Sequence, residues 1–226
     1  MTIDIISVQP RMFRGFLEES IVARAVKKGV CKVNIVDLRE FGAGPHRKVD
    51  DKPYGGGPGM LMACPPWFAA VESVLSGRAP DEKPPRIVMT SPAGRKFDQR
   101  LAEEFAAEDR IVFMCGHYEG FDARIETLAT DIVSVGDFVM TGGELAAAAM
   151  ADATVRLLPG ALAPGSASDE SFSRGEALEA PQYTHPEDFR GMKVPEILLS
   201  GDHARIEAWR RAASAERTRA RRGRDA

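Results

Sequence analysis

An α/β fold built on a mainly parallel sheet is predicted for the first 158 residues, and three observations carry that reading. Short β-branched runs alternate with stretches of helical period, the pattern of a β/α series. Two of the runs, IVFMC and DIVSV, are apolar throughout and suit strands covered on both faces. Each opens into a glycine-bearing turn, and the carboxyl ends of strands are where open α/β sheets bind ligands.

In chain order, IDIISV, VNIVD, RIVMT, IVFMC and DIVSV read as strands. Residues 15 to 28, 66 to 76, 98 to 107, 121 to 129 and 143 to 157 read as helices. One long irregular insertion, Leu38 to Gly59, far exceeds the usual connection of about two to six residues in α/β units. Within it, Tyr54-Gly55-Gly56-Gly57-Pro58-Gly59 is no P-loop, since no Gly-Lys-Ser/Thr follows. Its glycines leave room for a flat ligand or another backbone, and Pro53 and Pro58 argue for a shaped loop over a floppy connector.

The turns CGHYEG and VGDFVMTGGE place Gly116, Gly120, Gly136, Gly142 and Gly143 beside Glu119, Asp137 and Glu144. For any single glycine, an ordinary strand-to-helix turn with an acid at the helix start is sufficient explanation. Two such turns so close together favour a small-molecule pocket. Neither is a G-x-G-x-x-G fingerprint or a Walker A loop, so the expected ligand is nucleotide-like and carries no polyphosphate.

Composition sets the outer limits. With 44% apolar and 28% charged residues in 226, the chain is of ordinary soluble globular type. Cys31, Cys64 and Cys115 are dispersed and lack C-x-x-C spacing, which predicts reduced thiols and no zinc site. No basic leader and no apolar run of membrane-spanning length is present, so a cytoplasmic protein with no membrane partner is expected. The net charge of -3 hides an acidic body ending in a basic tail, with eight arginines against Glu207 and Glu216 between His203 and Arg224. Such a tail suits a nucleic-acid backbone, and equally a solvated helix end.

Beyond residue 158 the composition changes. Residues 159–172 are rich in Pro, Gly, Ala and Ser and read as a mobile linker. Residues 173–226 read as two or three helices without a clear strand, with Ser200 and Asp202 as candidate caps ahead of Ile206 and Trp209. That portion is too short for a large core of its own and is expected to pack on the body or on a second subunit.

DDKPYGGGPGMLM, SPAGRKF, CGHYEGFDARI, SVGDFVMTGGELAA, ESF followed by PQYTHPE, and VPEILLSGDHARIEAWR stand in this order. Together, across residues 3 to 211, they resemble the bacterial tRNA (guanine-N1)-methyltransferases of the SPOUT class, which act on the guanosine immediately 3′ of the anticodon. The resemblance implies a parallel α/β domain with a deep trefoil knot, a small helical C-terminal domain that holds tRNA, bent S-adenosylmethionine, and a homodimer. Patterning alone predicts a Rossmann-like domain, because knots are rare. A methyltransferase for ribosomal RNA would share the cofactor turns but not the YGGGPGM and YTHPE blocks. A non-enzymatic RNA-binding module would have no use for the carboxylates of the linker.

Carried onto this chain, the resemblance assigns the cofactor to Met89, Thr90, Ser91, Pro92 and Gly94, then Gly116, Tyr118 and Glu119. A third turn adds Ser134, Val135, Gly136, Asp137, Phe138, Val139, Met140, Gly142 and Gly143. Backbone groups can bond adenine and ribose, Glu119 can meet a cationic end, and apolar side chains can exclude water. His117, Ala146 and His185 depart from residues common in the family, and His117 is read as mainly structural. N1 of guanine carries a proton at neutral pH, so methyl transfer needs a carboxylate to remove it and a positive donor near O6. The resemblance places the carboxylate just before Ser171-Phe172, leaving Asp169 and Glu170 as alternatives, and makes Arg156 the donor. It also implies magnesium dependence, although the sequence offers no dedicated metal site.

Overall fold

The structure, a computed structural model, describes all residues except 80, 164, 167–169, 174 and 226. The chain divides into two compact units, Met1–Leu162 and Ala163–Ala226.

In the first unit, β1 (Thr2–Ser7), α1 (Arg14–Glu18), α2 (Ser20–Lys27) and β2 (Lys32–Asp37) come first. A small antiparallel pair follows, β3 (Asp50–Asp51) with β4 (Leu61–Met62). Then come α3 (Cys64–Leu75), β5 (Arg86–Lys96), α4 (Gln99–Ala106), β6 (Arg110–Met114), β7 (Asp131–Ser134) and α5 (Glu144–Val155). The main sheet is five-stranded, in order β2-β1-β6-β5-β7, and parallel throughout.

Alternation along the strands feeds two apolar layers. Ile3, Ile5, Ile111 and Phe113 face a layer with Val22 of α2, Phe105 of α4 and Met150 of α5. Ile6, Val112 and Met114 face the other, with Trp67 and Val71 of α3, Leu38 and Ile125. Phe105 is fully buried, and truncating such a side chain to alanine costs about 3–5 kcal/mol. The one carboxylate buried within β1, Asp4, accepts from Asn34 Nδ2 at 2.7 Å and Arg110 Nε at 2.8 Å.

Two helical expectations are altered. The stretch 15 to 28 breaks where Glu19 is extended and Ser20 takes φ 62°, giving α1 and α2. Residues 121 to 129 form a 3-10 helix, Ala123–Leu128, closed at its start by Asp122 Oδ1 accepting the Arg124 N–H at 3.0 Å. The long insertion is a shaped loop: Ala43 bridges Lys48 and Val49 is fully buried, while Tyr54 is fully exposed.

The second unit holds β8 (Asp188–Phe189), β9 (Met192–Lys193), α6 (Glu196–Leu199) and α7 (His203–Asp225). The β8–β9 hairpin was not expected; Arg190 and Gly191 turn it with φ 57° and 81°. Asp202 caps α7 by accepting the Arg205 N–H at 3.1 Å. Ser214 donates to the Leu178 carbonyl at 2.5 Å and Thr218 Oγ1 accepts the Leu178 N–H at 3.0 Å, tying the preceding segment to α7. Among the described residues, no helix is long and apolar enough to cross a membrane.

Candidate active site

Three turns, one interrupting β5 after Thr90 and the others following β6 and β7, are stitched together by Thr90. This side chain is buried, and its hydroxyl donates to the Met114 carbonyl at 3.1 Å while accepting the Gly116 N–H at 3.2 Å. The Gly116 carbonyl in turn accepts the Gly143 N–H at 2.7 Å, and His117 bridges Gly142 in antiparallel fashion. A side chain at Gly143 would run into Thr90 Oγ1 and come within 2.9 Å of the Gly116 nitrogen. Glycine is therefore needed there by the contact between turns.

The first turn is a bulge. β5 pairs with β7 up to Thr90↔Val133 and resumes at Arg95↔Val133, so Ser91, Pro92, Ala93 and Gly94 leave the ladder. Gly94 lies so close to the Ile132–Val133 backbone that a Cβ would overlap it. Met89 is buried in the core with Ile6, Val112 and Met114.

In the third turn, Ser134 Oγ donates to the Gly136 carbonyl at 2.9 Å and accepts its N–H at 3.2 Å, which occupies the hydroxyl inside the turn. Asp137 pairs with Lys96 at 2.5 Å. Val135 and Met140 are half-buried, whereas Phe138 and Val139 are exposed, Val139 to 84%.

The second turn is zipped to the insertion. Glu119 N–H donates to the Met60 carbonyl at 3.0 Å, Met62 N–H to the Gly120 carbonyl at 2.9 Å, and Asp122 N–H to the Met62 carbonyl at 3.0 Å. The Glu119 side chain lies over Gly59, in contact too close for any Cβ. Tyr118, with φ 59°, accepts from Arg39 Nη2 at 3.3 Å through its hydroxyl.

Below the turns lies a buried carboxylate. Glu144, the first residue of α5, is 1% exposed, and its Oε1 accepts from Ser7 Oγ at 2.7 Å. Its Oε2 and His117 Nδ1 are 3.7 Å apart, and both are buried without a hydrogen-bond partner. Burial pushes the Cys115 thiol well up, and the Glu144 charge adds to this. Burial also raises Cys31 and Cys64, with Asp122 assisting at Cys64. No thiolate nucleophile is on offer.

The proposed chemical groups stand in different units. Arg156 caps α5 in the first, its N–H donating to the Asp152 carbonyl at 3.1 Å. Glu170 belongs to the second, where it lines a cleft of 580 Å³ with Tyr183, His185, Arg210 and Arg211. Asp169 lies outside the described residues. Among the described residues, no group of three or more His, Cys, Asp or Glu is arranged to hold a metal.

The structure thus gathers the first, second and third turns at one sheet edge. Sequence reasoning missed Ser7, Arg39 and Lys96 as their supports; it set Glu144 beside the glycines of the third turn, where it opens α5, without foreseeing its burial. Only the run Gly142-Gly143-Glu144 hinted at the buried carboxylate.

Comparison with known proteins bears on the chain as a whole. The family profile of tRNA (Guanine-1)-methyltransferase TrmD matches residues 1–224. The chain is 52% identical over 223 residues to a tRNA (guanine-N(1)-)-methyltransferase of Pediococcus pentosaceus, covering 98% of this chain and 90% of that one. Identity to the enzyme of the same description from an Exiguobacterium species is 54% over 224 residues, covering 98% and 91%. To that of Listeria welshimeri it is 52% over 224 residues, covering 98% and 90%.

Proposed function

The chain belongs to the tRNA (guanine-1)-methyltransferase family, and from that premise we propose that its stitched turns hold S-adenosylmethionine for methyl transfer to N1 of the guanosine immediately 3′ of the tRNA anticodon. The chain is a tRNA (guanine-N1)-methyltransferase. One observation carries the site assignment: Thr90, Gly116 and Gly143 join in one hydrogen-bonded chain the three turns that the resemblance assigns to one cofactor.

The residues present fit the cofactor. Ser91, Pro92, Ala93 and Gly94, which leave the β5–β7 ladder, offer main-chain groups for adenine and ribose, and exposed Tyr118, Phe138 and Val139 offer apolar cover. Glu119 supplies the negative charge for a cationic end. Because Thr90 and Ser134 spend their hydroxyls on the turns, they position backbone and need not touch the ligand through those groups. When bound, S-adenosylmethionine supplies an electrophilic methyl group.

On the RNA side, Asp169 or Glu170 would take the N1 proton of guanine, and N1 would accept the methyl group as its bond to sulfur breaks and leaves the neutral thioether S-adenosylhomocysteine. Arg156 faces the negative charge that develops on O6.

The reading extends to a deep trefoil knot among the turns, supported by the family and by the return of the third turn onto Gly116. An experimental structure whose chain pulls free from both ends would remove the knot. It extends also to a homodimer, supported by exposed Phe138, Val139 and Leu145 on the third turn and α5; an active monomer in sedimentation equilibrium would count against it. Magnesium dependence follows from the family resemblance, and transfer unaffected by chelator would exclude it. Work on tRNA puts the enzyme in the cytoplasm, which cell fractionation checks. Calorimetric titration with S-adenosylhomocysteine tests the cofactor site itself: saturable one-site binding is expected, and no heat of binding would sink it.

A further inference from the structure

Two buried polar atoms face one another beneath the turns without a bond. Glu144 Oε2 and His117 Nδ1 are 3.7 Å apart, and neither has a hydrogen-bond partner. An N–H···O bond spans about 2.7–3.2 Å, so the pair stands roughly 0.5–1 Å open. A buried carboxylate oxygen left without a donor is costly, and the facing imidazole is the group placed to satisfy it.

The surroundings give the gap a direction. Ser7 Oγ holds the other oxygen of Glu144 at 2.7 Å, rooting the carboxylate in β1, an interior strand of the sheet. His117 belongs to the second turn, directly before Tyr118 and Glu119, and its backbone already bridges Gly142 of the third. Gly142 has no Cβ, and one placed there would overlap both Glu144 Oε2 and His117 Nδ1. Space for closure is therefore built into the third turn.

We infer that His117 is a positioning residue for the cofactor: ligand binding closes its Nδ1–H onto Glu144 Oε2 and draws the second turn against the third. The inference rests on the cofactor reading of the turns. The fixed partner is the Glu144–Ser7 pair; the moving one is the turn that carries Tyr118 and Glu119. In the imidazole the donating proton sits on Nδ1, and the neutral ring then keeps Nε2 as an acceptor.

This geometry makes the two amide replacements of His117 unequal. The Asn side-chain nitrogen falls near the place of imidazole Nδ1, whereas that of Gln falls near Nε2. Calorimetry with S-adenosylhomocysteine on the intact protein should show His117→Leu weakening binding by about ten- to a hundredfold, the effect of losing one hydrogen bond to a charged group. His117→Asn should restore affinity to within severalfold of the parent, and His117→Gln should not. Melting of the ligand-free variants shows which of them fold, and if His117→Leu does not, the Asn and Gln variants alone decide. Parent-like affinity in His117→Leu, or equal loss in Asn and Gln, would overturn the inference while leaving the cofactor site standing. A parent protein that binds no S-adenosylhomocysteine would instead remove the cofactor reading, and the inference with it.

Discussion

Arg86 and Asp131 form a two-pronged ion pair across the edge of the sheet, with Nε to Oδ2 at 2.8 Å and Nη2 to Oδ1 at 2.9 Å. They stand at the starts of β5 and β7; the first turn interrupts β5 further along, and the third follows β7. Arg86 also reaches Glu104 at 3.2 Å and lies over the Phe105 ring at 5.1 Å, so the pair anchors α4 as well. The spacing of the two strands is thereby set before they reach Thr90 and Ser134.

A pH dependence follows. The hydrogen bonds from Arg86 hold the Asp131 carboxyl below its usual range, the Thr130 hydroxyl assisting and burial opposing. A folded value below the unfolded one means stabilisation that is complete above about pH 4 and is lost as pH falls through the depressed folded value. Asp131→Asn should cost about 1–3 kcal/mol near neutrality. Urea unfolding should show that gap narrowing below pH ~4; a gap of constant size down to pH ~2 would mean the charge of Asp131 does not stabilise the fold.

Gly143→Ala tests the contact between turns. A Cβ there meets Thr90 Oγ1 and the Gly116 nitrogen, and forcing atoms into packed space costs about 1–3 kcal/mol. S-adenosylhomocysteine should bind at least about tenfold more weakly, since 1.4 kcal/mol is a tenfold change. Unaltered affinity would separate the stitched turns from the cofactor.

The five strands were legible because each is a short β-branched run closed by turn residues, and the sheet order then buries both faces. The β8–β9 hairpin was not, since only Asp188, Phe189, Met192 and Lys193 pair, all exposed, around Arg190-Gly191 in place of an Asn-Gly signal. The glycine turns were legible as turns that meet at one sheet edge. Their supports were not: Ser7 lies 137 residues from Glu144 in sequence, and a glutamate opening a helix ordinarily sits in solvent at the dipole's positive end. Ser134 looked like a ligand contact by type, yet its hydroxyl closes on Gly136.

Arg210 and Arg211 line the cleft of the second unit, and Arg211 makes only a 3.8 Å, largely exposed ion pair with Glu207. Replacing both with alanine should weaken tRNA binding and lower the slope of log affinity against log salt by roughly 0.7 to 0.9 for each lost phosphate contact. Affinity for S-adenosylhomocysteine should not follow. Filter binding across a salt series reads the slope, and an unchanged slope would make these arginines solvated charges.

The central claim concerns one proton and one methyl group. Unmodified tRNA transcripts, labelled S-adenosylmethionine and saturating enzyme in a single turnover test it most directly, with the product base mapped and Asp169→Ala and Glu170→Ala run beside the parent. Label is expected on N1 of the guanosine 3′ of the anticodon, with one of the two variants slower by on the order of a hundredfold or more and the other near the parent rate. Label on another atom or base, or parent-like rates in both variants, would contradict the account.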